Sequence, residues 1–191
     1  MSSHKRMVGD TLTPLNAKLA RNGSPVDLSS LTVKFQLESD AGISLLAETT
    51  TGVTAHPTST FTVDTTNNWI VANAHGLKDQ GEVIDQIIVS NSGGALPTGL
   101  AASTRYFVKD ATPNNFRVSL TPGGAAVTIS GAGTGTHSMY ALGSVQYDFS
   151  ATAAGTAGSY RGWFTVYSGS EFDTFPPDKA GIRIEVLPYG N

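Results

Sequence analysis

The stretch LTVKFQL, at residues 31–37, is the clearest strand pattern in the sequence. Apolar and polar residues alternate along it without a break. The apolar set is Leu31, Val33, Phe35 and Leu37, and the polar set is Thr32, Lys34 and Gln36. Because successive side chains of a strand point to opposite sides, this pattern predicts a β-strand with one face against a core.

Similar strand patterns occur on both sides of this stretch and again near the end of the sequence. They predict strands at residues 15–19, 44–53, 145–149, 160–167 and 181–187. The Asn-Gly pair at residues 22–23 is a strong hairpin signal, and helical periodicity is almost absent. About six or seven strands are enough for two packed sheets, so we predict an all-β fold with an immunoglobulin-like sandwich.

The middle of the sequence differs from these outer parts in composition and in strand length. Residues 55–140 are rich in Gly, Thr and Asn, and short strands are predicted at residues 61–63, 69–72, 83–89, 106–109, 115–120 and 126–129. We interpret this segment as a small open barrel or sandwich inserted into a surface loop of the outer domain. The predicted organisation is a discontinuous sandwich at residues 8–54 and 141–188, an inserted β-module at residues 55–140, and an N-terminal arm at residues 1–7.

Composition narrows the classes of function. The chain has 191 residues, of which 14% are charged, with a net charge of −3 and no cysteine. Without cysteine there are no disulfides or thiolate metal sites, and without a broad basic patch nucleic-acid binding is not expected. No apolar run reaches the roughly 18 residues that a membrane-spanning helix needs. The first residues, MSSHKRMVGD, lack the apolar segment of a secretory signal, so we expect folding in a cytosol.

A small basic cluster, His4-Lys5-Arg6, lies in the predicted arm. We expect a frayed terminus there, because end segments are poorly ordered unless something ties them down. The alternative is a short arm that docks on an acidic neighbour.

The outer segments carry motifs that resemble a known family. These motifs are GDTLTPLNAKL at residues 9–19, NGSPVDL at 22–28, LTVKFQL at 31–37, GSYRGWFTV at 158–166, EFDTFP at 171–176 and IRIEV at 182–186. They are similar to the N-terminal domain of phage baseplate upper proteins. The resemblance implies a β-sandwich that anchors a receptor-binding apparatus to a tail. Proteins of that family continue into a C-terminal stalk or docking region, whereas this chain stops at Asn191, so we expect any receptor-binding partner to be another chain.

The middle segment resembles a small repeat module of phage tail-fibre and virion proteins. The shared motifs are AHGL at residues 74–77, GEV at 81–83, LPTGL at 96–100, YFV at 106–108, NFRV at 115–118 and GTGTH at 133–137. They consist of turn and core residues. The resemblance therefore bears on fold and carries no catalytic residue.

The sequence offers no pattern that predicts a catalytic, cofactor or metal site. The four histidines, His4, His56, His75 and His137, do not pair at metal-ligand spacing. We expect His75 to bond the backbone of its own turn, and convergence of His75 with His137 is the open alternative. The glycine-rich residues 131–135 match no phosphate-binding motif and predict a β-turn.

Two carboxylates, Glu171 and Asp173, also need an interpretation. They lie two residues apart, so on a strand both would point to the same side, and we expect both to face solvent at a sheet edge. Paired catalytic carboxylates of glycosidases usually lie on different strands and face a cleft. We therefore predict that the chain is not an enzyme.

Four aromatic residues are the candidate interface residues: Trp69, Trp163, Tyr167 and Phe172. Trp163, Phe164 and Tyr167 point to both faces of one strand, so one face belongs to the core and the other is free to anchor a partner. For Trp69 we expect a core position, with a cap on the inserted module or a sugar contact as alternatives.

These observations predict a non-enzymatic structural protein of the virion of a tailed bacteriophage. It would be a tail, baseplate or neck component, assembled in the host bacterial cytoplasm and docked to other virion proteins in several symmetric copies. One alternative is a capsid decoration or head-fibre protein. Another alternative, from a different class, is a module that binds a host glycan through Trp69.

Overall fold

A computed structural model describes residues 4–150, 155–176 and 181–188. All regular structure in these ranges is β, and they contain no helix that could span a membrane. The predicted all-β class is therefore confirmed. The strands in chain order are β1 (His4–Met7), β2 (Leu15–Lys18), β3 (Ala20–Arg21), β4 (Ser24–Pro25), β5 (Thr32–Ser39), β6 (Ser44–Thr49), β7 (Val53–Ala55), β8 (Thr58–Asp64), β9 (Trp69–Val71), β10 (Gln86–Ser92), β11 (Tyr106–Lys109), β12 (Asn115–Ser119), β13 (Thr136–Ala141), β14 (Ser144–Tyr147), β15 (Gly158–Ser168), β16 (Glu171–Phe175) and β17 (Ile182–Leu187).

The chain divides into two compact units. The first consists of Met1–Leu19, Asp27–Ala55 and Ser144–Asn191, and the second of Ala20–Val26 and His56–Gly143. The sequence-based boundaries differ in one respect, because they assign the Asn-Gly hairpin β3–β4 to the outer domain. The structure groups this hairpin with the second unit.

The first unit contains two open sheets. The larger sheet has the order β1-β17-β15-β5-β6, with β16 paired to the end of β15, and the smaller has the order β2-β14-β7. All pairs are antiparallel except β1 with β17. The long strand β15 lies in the middle because its alternating apolar residues face the core along its whole length.

Aromatic side chains form the core of the first unit. Phe35 of β5 is fully buried, and its ring centroid lies 4.1 Å from that of Tyr147 on β14 and 5.0 Å from that of Phe164 on β15. The first of these contacts joins the two sheets, and Phe149 packs edge-on against both Phe35 and Tyr147. The inner face of the 31–37 strand is thus the one predicted from the sequence. The immunoglobulin-like form of the sandwich stays a prediction.

The second unit is a closed barrel with the strand order β10-β11-β12-β9-β8-β13. The sequence predicts an open barrel or a sandwich, and the difference arises at β13. This strand pairs with β8 on one side and with β10 on the other, which closes the ring. The interior is mostly aliphatic, with Ile70, Ile87, Val89, Val118 and Ile129 among its buried residues.

The N-terminal segment is not the frayed arm that the sequence predicts. Residues His4–Met7 form β1, which runs parallel to β17 with His4 opposite Ile184. Arg6 is only 3% exposed, and its guanidinium lies 3.7 Å from the ring centroid of Phe149. Pairing with a strand about 180 residues away therefore ties the segment down.

One strand prediction in the second unit also fails, and one strand there was not predicted. Residues 126–129 do not form a strand, because their amides bond to scattered partners: Val127 donates to the Val118 carbonyl and Ile129 to the Asn68 side chain. Conversely, β13 has no prediction, since its sequence THSMYA has weak strand character. Backbone hydrogen bonds to β8 on one side and to β10 on the other keep it extended.

Candidate functional site

The outer face of the large sheet in the first unit brings polar and aromatic side chains together. On β15, Trp163, Thr165 and Tyr167 point away from the face that buries Phe164 and Val166. Directly paired residues of antiparallel strands share a face. Gln36 of β5 therefore lies beside Trp163, and Phe172 of β16 beside Tyr167.

A groove with a volume of about 520 Å³ runs across this face. Trp163, Thr165 and Tyr167 of β15 line it. The neighbouring strands contribute Gln36, Glu38, Glu48, Phe172 and Thr174. Three of the four aromatic residues that the sequence offers as interface candidates, Trp163, Tyr167 and Phe172, thus line one groove. We call it the outer-face groove.

One wall of the outer-face groove is held by an ion-pair network. The Glu48 carboxylate accepts a hydrogen bond of 2.6 Å from the Tyr167 hydroxyl and pairs with the Lys34 ammonium at 3.2 Å. The Lys34 nitrogen also lies 4.3 Å from the centroid of the Tyr167 ring. Three side chains from three strands therefore hold one another in place, and the Tyr167 ring has a fixed orientation.

This network sets the ionisation of two of its members. Burial acts to raise the pKa of Glu48, but hydrogen bonds from Tyr167, Thr165 and Lys34 outweigh it, so the pKa lies below its usual value. The pKa of Tyr167 is raised, first by its hydrogen bond to Glu48 and then by burial. Near neutral pH the pair is thus a carboxylate and a neutral phenol, in which only the phenol donates.

The opposite wall and the floor differ in accessibility. The side chain of Phe172 is 64% exposed, and its ring centroid lies 5.7 Å from that of Tyr167. Trp163 is only 8% exposed because Gly181 lies against its indole. A Cβ added at Gly181 would be 3.0 Å from two indole carbons. Trp163 therefore forms part of the floor, and Phe172 is the accessible aromatic surface.

Three half-buried polar side chains of the groove are not used by the fold. In the described ranges, the side chains of Gln36, Glu38 and Thr174 form no hydrogen bond with the protein. They provide an amide, a carboxylate and a hydroxyl along the groove, which together can donate and accept hydrogen bonds.

Trp69, the fourth predicted residue, lies in the second unit at the start of β9 and is half-buried. The Arg117 guanidinium is stacked 4.2 Å from the centroid of its indole. Arg117 is itself fixed by the Asn67 carbonyl at 3.1 Å and by Asp110 at 3.3 Å. One face of the Trp69 ring is therefore covered, which differs from the predicted core position.

The histidines make structural contacts. His75 accepts a hydrogen bond from the Leu77 amide at 3.0 Å, so it bonds its own turn as expected. His137 lies 2.7 Å from the Asn91 side-chain nitrogen and 2.9 Å from the Ala132 carbonyl. Since the NH₂ nitrogen of Asn91 can only donate, Nδ1 of His137 accepts, and Nε2 carries the proton and donates to the Ala132 carbonyl.

His4 and His56 stack on Phe149 and Tyr140. Within the part of the chain that the structure describes, no group of three or more His, Asp or Glu residues is placed to hold a metal ion.

The glycine-rich segment at residues 131–135 packs against the loop at residues 92–98. The Thr134 amide donates to the Ala95 carbonyl at 2.9 Å, and the Thr98 amide to the Gly131 carbonyl at 3.0 Å. A Cβ at Gly133 would overlap the backbone of that loop. The glycines thus permit close approach of two backbones, and the segment forms a bridge at Gly131 followed by a bend rather than the predicted β-turn.

The two carboxylates of β16 lie on its side opposite to Phe172. Glu171 is exposed, whereas Asp173 is half-buried because it lies opposite Val166, a core residue of β15. The prediction that both face solvent is therefore right for Glu171 and wrong for Asp173. Neither residue lines the outer-face groove.

The second unit has a larger cavity of about 780 Å³ beside β8, β9 and β13. Small hydroxyl and amide side chains, including Ser59, Thr60, Thr62 and Asn73, make up much of its lining. Its two ring side chains, Phe61 and His137, are buried. It offers no exposed aromatic surface comparable with Phe172.

Sequence reasoning did not single out Gln36, Glu38 or Glu48 as site residues. The alternation of β5 indicates that Gln36 faces away from the core. Its approach to Tyr167 and Phe172, however, depends on the pairing of β5 with β15, which are separated by more than 100 residues. Only the assembled sheet brings these residues into one groove.

Comparisons of the chain with protein-family models, with curated proteins and with solved structures give no match, so the geometry described above has to carry the functional argument.

Proposed function

We propose that this chain is a non-enzymatic structural protein of a tailed phage virion, a tail, baseplate or neck component that docks other virion proteins. The observation that carries the proposal is the open, partly apolar sheet edge formed by β6. Strand β6 ends the large sheet, and no other strand in the described ranges pairs with its outer side.

Apolar side chains accompany this edge. Ile43, in the turn before β6, is 67% exposed, and Leu45 on the strand is 41% exposed. An edge strand presents unpaired amide and carbonyl groups, and a neighbouring chain can add a strand to them. Exposed apolar residues beside such an edge favour a protein partner, because docking removes their surface from water.

The irregular pairing of β5 with β6 limits which partner fits. The register between these strands shifts twice, next to Leu37. Such irregularities twist an edge and disfavour indiscriminate pairing with other sheets. A partner of matching shape is therefore needed, as in an assembly with defined neighbours.

The assignment to a phage virion rests on the resemblance of the outer motifs to baseplate upper proteins and of the middle motifs to tail-fibre modules. The low charged fraction of 14% also suits close packing between copies, because charge repulsion between them is weak. A position on the head, as a decoration or head-fibre protein, uses the same docking edge and is distinguished by experiment.

Immunogold electron microscopy of purified phage particles, with antibody against this chain, tests the assignment. Label at the tail tip or neck is the expected result. Label on the head transfers the proposal to a capsid decoration role. Particles without label, from a lysate in which the chain is abundant, contradict a role as an exposed virion component.

A complementation experiment tests the docking edge separately. Phage that lack the chain are supplied with the wild-type protein, with Leu45→Lys or with Leu120→Lys. Leu120 is the matched control, because it is 62% exposed but lies in the second unit. We expect Leu45→Lys to be excluded from particles and Leu120→Lys to be incorporated. Equal incorporation of both variants contradicts docking through β6.

A further inference from the structure

We propose that the outer-face groove is a binding site for a neutral carbohydrate. This role goes beyond docking to virion proteins and does not depend on it, since it concerns a sheet face rather than the sheet edge at β6. The argument rests on the accessible ring of Phe172, the unused polar side chains of the groove and the charge of its walls.

The aromatic part of the groove fits the apolar face of a sugar ring. Phe172 is exposed, and its partner Tyr167 is held by the Glu48 and Lys34 contacts. The face of an aromatic ring carries partial negative charge, so it attracts the C–H groups on one side of a pyranose. Because Tyr167 is already fixed, binding loses little side-chain entropy there.

The polar part of the groove fits sugar hydroxyls. Gln36 and Glu38 lie two residues apart on β5 and point to the same side, and Thr174 approaches from β16. A hydroxyl group both donates and accepts, so a carboxylate, an amide and a hydroxyl that line one groove can satisfy several sugar hydroxyls. A few placed polar groups beside an aromatic surface are the usual composition of a small-ligand site.

The charges of the groove favour a neutral ligand over an acidic one. Glu38 and Glu48 line it, and neither Lys nor Arg is among the described residues that line it. The two nearest cations have carboxylate partners: Lys34 is paired with Glu48 at 3.2 Å, and Arg161, directly opposite Glu38, is paired with Asp40 at 3.0 Å. A phosphate, sulfate or sialic acid group in the groove would therefore meet carboxylates, while the cations beside it are already engaged.

The backbone around the groove favours a ligand recognised by side chains. Beside Thr165 and Tyr167, strand β15 is paired with β5 on one side and with β16 on the other. Its amides and carbonyls are therefore used, and an extended peptide cannot add to this strand. Trp69, the sugar-contact candidate from the sequence, is less suitable because Arg117 covers one face of its ring.

The two tryptophans of the chain provide a direct test, because each lies in a different unit. In a Trp69→Phe variant, Trp163 on the groove floor is the remaining tryptophan. We would titrate this full-length variant with neutral polysaccharides of the host cell surface and with neutral oligosaccharides, and follow tryptophan fluorescence. Saturable change in emission is expected, and isothermal calorimetry supplies the affinity.

Variants of the groove then locate the site. In the same background, Phe172→Ala is expected to weaken binding by about tenfold, which corresponds to one aromatic contact. Glu38→Gln is expected to weaken it less, and Leu120→Lys in the second unit to leave it unchanged. Thermal unfolding of each variant checks that the fold is kept. We expect Phe172→Ala to fold normally, because the Phe172 side chain is exposed and leaves no cavity.

Several outcomes overturn the proposal. They are no binding of any neutral glycan on a broad array, binding only of sulfated or sialylated glycans, and an affinity that is unchanged in both Phe172→Ala and Glu38→Gln. Displacement of the bound glycan by a Lys- and Arg-rich peptide at equal affinity also contradicts it, because the groove would then be a peptide site.

Discussion

The first unit holds its strands in open sheets, whereas the second closes six strands into a barrel. The barrel has no strand edges, and all its paired residues lie fewer than 100 positions apart in sequence. The large open sheet keeps edges at β1 and β6, and its pairs β5–β15 and β1–β17 join residues more than 100 positions apart. The surfaces that can bind a partner therefore lie in the first unit, which has the exposed sheet edge and the outer-face groove. In the barrel, every strand is paired on both sides, so no edge is left for a partner.

The cores of the two units differ as well. Phe35 contacts three other aromatic rings in the first unit, whereas Phe116 in the barrel packs edge-on against the His75 ring within a mostly aliphatic core. Both are fully buried. This matched pair of residues allows the independence of the units to be measured.

The largest effect is expected from truncating these two residues. Phe35→Ala and Phe116→Ala should each lower the free energy of unfolding of their own unit by about 3–5 kcal/mol, because each leaves a cavity in a packed core. Calorimetry combined with hydrogen exchange assigns the loss to a unit. If Phe35→Ala removes protection from the barrel strands to the same extent, the two units do not unfold independently.

Buried polar groups provide the next comparison. In the first unit, Arg6 uses one nitrogen to donate to the Thr13 carbonyl at 3.2 Å, and its other two nitrogens are buried without a hydrogen-bond partner. Burial also lowers the pKa of Arg6. In the barrel, His137 is hydrogen bonded at both ring nitrogens.

We therefore expect opposite signs from removing these two groups. Arg6→Met should raise the free energy of unfolding by roughly 1 kcal/mol, because it removes an incompletely paired buried charge at similar volume. His137→Phe should lower it by about 1–3 kcal/mol, because Asn91 and the Ala132 carbonyl lose their partner. Urea unfolding measures both values. A loss of stability in Arg6→Met would show that its contact with Phe149 outweighs the desolvation of the guanidinium.

Acid sensitivity of the first unit is the third expectation. The pKa of Glu48 in the folded chain lies below its usual value of 4.5, so the unfolded chain binds a proton more readily. The stabilisation is fully present above pH 4.5 and is lost as pH falls through the lower folded-state pKa. Glu48→Gln should remove this part of the pH dependence and about 1 kcal/mol of stability at neutral pH.

Thermal unfolding from pH 3 to pH 7 measures this effect. Glu171→Gln is the matched control, because Glu171 is exposed and outside the network. If the unfolding temperature of Glu48→Gln falls with decreasing pH as steeply as that of the wild type, the network contributes nothing to the pH dependence of stability.

The smallest effect on stability is expected at the exposed leucines. Leu45→Lys at the sheet edge and Leu120→Lys in the barrel unit should each change the free energy of unfolding by less than about 0.5 kcal/mol, as exposed positions generally do. Chemical unfolding of both variants checks this. A larger loss in Leu45→Lys would mean that its exclusion from particles reflects misfolding rather than docking.

Local patterns were enough to predict the longer strands of the first unit, β5, β6, β15 and β17. The alternation at residues 31–37 correctly predicts that Val33, Phe35 and Leu37 are buried. The same reasoning places Phe164 in the core and Tyr167 on the other face of β15. These results depend on side-chain periodicity alone, which is a property of each strand.

Features that depend on long-range pairing were not predictable in this way. Strand β1, HKRM, is too polar to suggest burial, and it is ordered by β17 at the other end of the chain. Barrel closure depends on β13, whose Thr, Ser and His residues give little local signal. The outer-face groove has the same origin, because Glu48 reaches Tyr167 only after β5, β6 and β15 have paired.

The antiparallel pairing of β7 with β14 has a consequence for engineering and for gene exchange. Ala55 lies directly opposite Val145, so the long segment between them leaves the first unit and returns to it at one pair of a continuous ladder. Replacing residues 56–144 with Asn-Gly should therefore join Ala55 to Val145 through a two-residue hairpin. The short hairpin at Ala20–Val26 stays in that shortened chain, and cooperative unfolding would test it. Any foreign domain whose ends lie close together is a candidate for grafting at the same place.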